Sequence, residues 1–161
     1  MLDLLGTKKN IFLPEISEEE FSDADVLVEL TQLKKELADK VIILGHHYQQ
    51  DDVISFADFT GDSLALARHA ANTDKPYIVF CGVHFMAETA DMLSKPSQQV
   101  ILPDLNAGCS MADMANSEQV EKAWEVLSQS TNEKIIPITY INCDAKLKEY
   151  VCRHDGAICT S

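Results

Sequence analysis

The sequence holds half as many basic residues as acidic ones, 13 against 26, for a net charge of −13. A phosphate backbone would be repelled by that field, so a nucleic-acid partner is not expected. No stretch approaches the roughly 18 consecutive apolar residues of a membrane span, and no basic amphipathic stripe suits a lipid surface. The first residues, Met1-Leu2-Asp3-Leu4-Leu5, lack the apolar core of a secretion signal. Neither Gly-x-Gly-x-x-Gly nor a P-loop is present, so a nucleotide fold has no motif support. The cysteines Cys81, Cys109, Cys143, Cys152 and Cys159 are odd in number and include no Cys-x-x-Cys pair. A paired zinc site is therefore disfavoured, and a cytoplasmic, reducing compartment with unpaired thiols is expected.

What is present is ordinary globular composition, 46% hydrophobic and 24% charged in 161 residues. That length suits one domain, or one and part of a second, at roughly 100–200 residues per domain. About two-thirds of the unfolded surface can be buried in a chain of this size, without a disulfide or metal staple.

Short apolar runs alternate with helical patterns. Ser17-Glu18-Glu19-Glu20 fits a capping box, and Val26, Leu27, Leu30, Leu33 and Leu37 follow at helical spacing. Val41–Leu44 reads as a strand covered on both faces. Helices are predicted over about 52–59, from Gly61-Asp62-Ser63 to about Ala71, and over about 85–93. A further helix, capped by Asn116 or Ser117, is predicted through Leu127. Further strands are predicted at Tyr77–Cys81, Val100–Leu102 and Ile135–Ile141, with another opening at Ala157-Ile158-Cys159. The alternation predicts an α/β fold of three-layer αβα units with short parallel sheets. The expected divisions are an N-terminal extension and helix over 1–38, a first αβα domain over 39–116, and the start of a second over 117–161. Parallel strands place their carboxyl ends along one edge, where ligands of open α/β sheets bind.

Several strands end in reactive groups. Gly45-His46-His47-Tyr48 sets two imidazoles and a phenol after the first strand, suited to proton transfer. A surface histidine pair is the plain alternative. Ser63 opens a helix, where free amides favour an anion, although Asp62 or Ser63 can equally be a simple N-cap. Cys109 lies in a Gly-bearing loop, Asn106-Ala107-Gly108-Cys109-Ser110-Met111, which suits a ligand or nucleophile better than a core thiol. Cys81 ends an apolar run and reads as core. Glu88 falls mid-helix, as readily a solvated residue as a functional one.

Taken together, six segments resemble quinolinate synthase. They are Gly45-His46-His47-Tyr48-Gln49, Gly61-Asp62-Ser63-Leu64, Phe85-Met86-Ala87-Glu88-Thr89-Ala90, Ala107-Gly108-Cys109-Ser110-Met111, Tyr140-Ile141-Asn142 and Cys159-Thr160-Ser161. The resemblance implies condensation of iminoaspartate with dihydroxyacetone phosphate, losing phosphate and water to give quinolinate in NAD biosynthesis. It implies a 4Fe–4S cluster on three cysteines, with an open iron acting as Lewis acid. L-aspartate oxidase is the implied supplier of iminoaspartate. Carried over by position, Cys109 is the cluster ligand, and His46 and Tyr48 are catalytic. His46, Ser63, Tyr140, Asn142 and Ser161 bind substrate. His47 falls where other members carry Asn, and stays outside the catalytic set. Family members are about twice as long, with three αβα domains and the other two cluster cysteines further along. The chain is therefore expected to be the N-terminal half of such an enzyme, inactive alone. The rival readings are a non-catalytic anion-binding fragment and a metal-dependent aldolase or hydrolase working through the His46 loop.

Overall fold

The computed structural model describes residues 22–160. The Ser17–Glu20 capping box and Ser161 lie outside these described residues. The first described helix, α1 (Asp23–Glu36), opens on Ser22, whose hydroxyl accepts a hydrogen bond from Asp25 N at 3.3 Å. Asp23 and Asp25 at its start, and Lys34 and Lys35 at its end, complement the helix dipole. Its apolar stripe is not buried: Leu27 and Leu33 are each 41% exposed. Polar contacts tie the helix down, with Lys34 Nζ donating to Phe56 O at 2.6 Å and meeting the Asp58 carboxylate at 2.9 Å.

The main sheet is parallel, with strand order β2-β1-β3-β4. Its strands are β1 (Val41–His46), β2 (Phe59–Gly61), β3 (Tyr77–Cys81) and β4 (Gln99–Ile101). The central pair is aligned so that Leu44 faces Phe80 and Gly45 faces Cys81. Branched and aromatic residues suit such central strands. Ile42, Leu44, Ile78 and Phe80 pack with Leu66 and Ala70 of α3 (Ser63–Asn72), and with Phe85, Met86, Ala87 and Ala90 of α4 (His84–Leu93). Each large side chain buried there contributes on the order of 1.5–3 kcal/mol. Gly45 is required by close approach: a Cβ at this position would meet Ala57 Cβ at 2.9 Å and Ile54 Cδ1 at 3.0 Å.

The helix predicted over about 52–59 is shorter than expected. It is a single turn, α2 (Asp51–Ile54), and Phe59–Gly61 forms β2 instead. Asp58 explains the difference, because its backbone N–H donates to Ile43 O at 2.7 Å while its carboxylate accepts from Ile43 N at 2.8 Å. These bonds zip the chain onto β1 before a helix can extend.

Beyond the sheet, a 3₁₀ turn (Ala112–Met114) leads to α5 (Ser117–Ser130). Asn116 and Gln119 close a reciprocal capping box at its start. β5 (Ile138–Tyr140) and β6 (Ala157–Cys159) form a separate parallel pair. The expected strand from Ile135 is trimmed to three residues, starting just after Pro137, which has no N–H for a ladder. Between them runs α6 (Ala145–Arg153), which the sequence reading did not anticipate. Asp144 caps it by accepting from Leu147 N at 2.6 Å. The architecture is α/β with short parallel sheets flanked by helices. No helix among the described residues is long and apolar enough to cross a membrane.

Candidate functional site

β1 delivers His46 to the carboxyl edge with only 4% of its surface exposed. The chain then turns, and three rings close on one another. His46 and His47 stack at 4.4 Å between centroids, and Tyr48 lies 4.7 Å from His46 and 4.3 Å from His47. Tyr48 itself is 83% exposed, so its phenol faces solvent above a buried imidazole. Tyr48 N donates to His46 Nδ1 over a long 3.4 Å, which leaves Nε2 to carry the proton of the neutral ring. Burial, aided by the neighbouring His47 and opposed by Asp62, holds the His46 pKa below its ordinary 6.5. The ring is therefore neutral at pH 7, with its proton on Nε2.

Ser63 is brought to this tip through the backbone. His47 N and Nδ1 lie 3.2 and 3.0 Å from Gly61 O, two residues before Ser63. Asp62, not Ser63, is the N-cap of α3, accepting from Ala65 N at 2.8 Å. The half-buried Ser63 hydroxyl is thereby released from capping, beside the open amides of the first helical turn.

Cys109 lies in the loop after β4 and packs half-buried against the edge of the core. The loop is anchored to the start of α4, since His84 N donates to Ala107 O at 2.9 Å. A cleft of about 250 Å³ opens here, lined by His84, Phe85, Cys109, Asp113, Asn116 and Asp144 among others. His46, Tyr48 and Ser63 do not line it. The first group sits at the ends of β1 and β2 and Cys109 follows β4, with β3 between them in the sheet.

The second sheet adds to the Cys109 side. Asn142, just beyond β5, points its amide at Met111 Sδ at 3.6 Å, on the Cys109 loop. Tyr140 ends β5 and is 38% exposed. Asp144, two residues after Asn142, caps α6 and lines the cleft.

Two further residues, Glu88 and Lys148, carry structure that the sequence reading did not assign. Glu88 is not a solvated helix residue: its Oε2 accepts from Ala145 N at 2.9 Å, and its Oε1 lies 3.7 Å from His84 Nδ1. Lys148 is 3% exposed and donates to Cys143 O. Burial lowers its pKa, against the opposing pull of Cys143, Glu88 and Asp144. No sequence signal marked Lys148, because a lysine on an unread helix defaults to solvent.

The remaining thiols differ in setting. Burial pushes the Cys81 thiol up, keeping it protonated in keeping with a packing role. Cys143 is buried beside the Thr139 hydroxyl, while Cys152 and Cys159 are exposed. Among the described residues no group of three or more His, Cys, Asp or Glu side chains could hold a metal. Cys109 in its cleft thus offers a single thiol, and a three-cysteine cluster needs two more from outside these residues.

Residues 28–161 match the family model described as Quinolinate synthetase A protein. The chain belongs to that family. Over 162 residues it is 51% identical to the quinolinate synthase of Bacillus pumilus (strain SAFR-032), covering 100% of this chain and 44% of the relative. The quinolinate synthase of Bacillus subtilis (strain 168) is 50% identical over 162 residues, with the same coverage of 100% and 44%. That of Streptomyces coelicolor is 54% identical over 142 residues, covering 87% of this chain and 36% of the relative. The chain therefore spans less than half the length of these quinolinate synthetase A relatives.

Proposed function

We propose that this chain is the N-terminal part of a quinolinate synthase, condensing iminoaspartate with dihydroxyacetone phosphate to quinolinate with loss of phosphate and water. The observation that carries the reading is the meeting of the His46–Tyr48 tip and the Ser63 helix start at one carboxyl edge. In this reading residues 39–116 form a first αβα domain and 117–161 begin a second, in a cytoplasmic enzyme of NAD biosynthesis supplied by L-aspartate oxidase.

Each residue then has a role set by its surroundings. Ser63 and the first amides of α3 bind a substrate anion. The neutral His46 ring donates from Nε2 to the triose oxygen as the enediol develops, and Tyr48 carries protons between the site and water. Tyr140, Asn142 and Ser161 hold the second substrate's anionic end. Cys109 would hold a 4Fe–4S cluster together with two further thiolates that the described residues do not gather around it. When bound, that cluster supplies an open iron that polarises a hydroxyl or carbonyl as a Lewis acid.

A chimaera tests this reading. The chain replaces the matching 162 residues of the Bacillus subtilis relative. Anaerobic quinolinate formation from the two substrates is expected, and Cys109→Ala should abolish the cluster's visible absorption. A folded, cluster-loaded chimaera that makes no quinolinate overturns the reading. The second reading, a non-catalytic anion-binding fragment, is favoured by the lack, among the described residues, of any group of three or more His, Cys, Asp or Glu side chains that could hold a metal. It predicts phosphate binding by the isolated chain with no contribution to turnover in the chimaera.

A further inference from the structure

α4 and α6 meet through a half-buried carboxylate, Glu88, and a buried ammonium, Lys148, at a helix start. α6 needs partners for its first amides, which no preceding turn supplies. Its own cap, Asp144, takes Leu147 N at 2.6 Å. Ala145 N is taken instead by Glu88 of α4, at 2.9 Å and 57 residues away in sequence. One turn into α6, Lys148 returns the contact: its ammonium sits 5.5 Å from the centre of the Phe85 ring, three residues before Glu88. The same ammonium donates to Cys143 O. A carboxylate at a helix N-terminus and an ammonium over an aromatic face are both favourable, more so when shielded from water.

The two ends of this contact lead to the two loops of the Cys109 side. On α4, His84 N holds Ala107 O, and with it the Cys109 loop. At the start of α6, the Cys143 carbonyl that Lys148 binds follows Asn142 directly, and Asn142 reaches Met111 at 3.6 Å. We propose that Glu88 and Lys148 are positioning residues: they latch α6 to α4 and so hold the Tyr140–Asn142 segment against the Cys109 loop. The role of that segment in substrate binding rests on the proposed quinolinate synthase reading, but the latch itself does not.

The methyl resonance of Met111 reports the latch directly, in the 161-residue chain with ¹³C-methyl methionine. Asn142→Ala provides the reference shift for a lost contact. Glu88→Ala is expected to move the Met111 methyl most of the way to that reference, leaving the core Met86 methyl in place. Exchange of the Ala145 amide should quicken at least tenfold. Glu88→Gln keeps an oxygen acceptor for Ala145 N and should restore both readings to near the unsubstituted chain. Lys148→Met keeps the bulk and loses the charge, and should move the Met111 methyl in the same direction as Glu88→Ala. A Met111 methyl unmoved in Glu88→Ala, with Met86 native, overturns the latch. Should Glu88→Ala not fold, an unmoved Met111 in Lys148→Met does the same. A merely stabilising contact would lower the unfolding midpoint and leave the folded-state Met111 shift alone. Turnover takes no part in these readings, so failure of the enzyme reading and failure of the latch register separately.

Discussion

The two sheets of this molecule are built on the same parallel pattern and stabilised in different ways. In the first, Leu44, Ile78 and Phe80 are 0% exposed, with helices supplying Leu66 and Ala70 to the same core. In the second, Ile138 is 67% exposed and Ile158 40% exposed, and β6 has no buried residue. Burial in the second unit is concentrated in α6 and the segment before it, at Ile141, Cys143, Ala145, Leu147, Lys148 and Val151. A four-stranded sheet with helical cover can fold around its own core, whereas a two-stranded pair is marginal without added packing. His46 and Ser63 are therefore positioned by the core beneath them, and Asn142 by the contact of α6 with α4.

Substitutions can break or sharpen this contrast. Phe80→Ala should cost the most, about 3–5 kcal/mol in urea unfolding, because it empties the centre of the first sheet. A loss below about 1 kcal/mol would place the core elsewhere. Gly45→Ala should cost about 1–3 kcal/mol, since its methyl has nowhere to go between Ala57 and Ile54. Asp144→Ala removes the cap of α6 and should cost about 1 kcal/mol, seen first as faster amide exchange within α6. A global unfolding that leaves α6 exchange unchanged would argue against separate stabilisation of the second unit. Smaller still is a pH effect at the tip of β1. The folded state holds the His46 pKa below 6.5, so the unfolded chain binds a proton the folded one refuses. Stability should therefore fall as pH drops from about 6.5 toward the lowered pKa and level off beneath it, and His46→Asn should remove that slope. Ile138→Ala, at an exposed site of the second sheet, should change stability by less than about 0.5 kcal/mol.

The same contrast governs what was legible in the sequence. The apolar runs at Val41–Leu44 and Tyr77–Cys81 announce strands because continuous burial leaves a composition signal. Asn116 announces α5 because a capping box is local chemistry. β2 does not read as a strand in the sequence, since its pairing depends on Asp58 reaching Ile43, a contact across fifteen residues. α6 was missed because it is only nine residues long and a lysine, Lys148, takes one of its inward positions beside Leu147 and Val151. At the proposed site, His46 and Tyr48 stand out in the sequence as polar groups after an apolar run, Ser63 as a helix start and Cys109 as a loop thiol. Glu88 and Lys148 were not, because their partner atoms are a backbone amide and a backbone carbonyl, which carry no sequence signature.

The central claim is that residues from both units serve one reaction. Measuring kcat/KM of the chimaera for His46→Ala, Asn142→Ala and the double substitution tests it most directly. The proposed general acid–base role of His46 predicts a single-substitution loss of roughly 10²–10⁴-fold. Residues that act as one catalytic unit lose far less together than the product of their single losses, whereas uncoupled residues multiply. The account predicts that the double substitution loses far less than the product of the two single losses. Strictly multiplicative losses would place His46 and Asn142 in separate, uncoupled roles and contradict it.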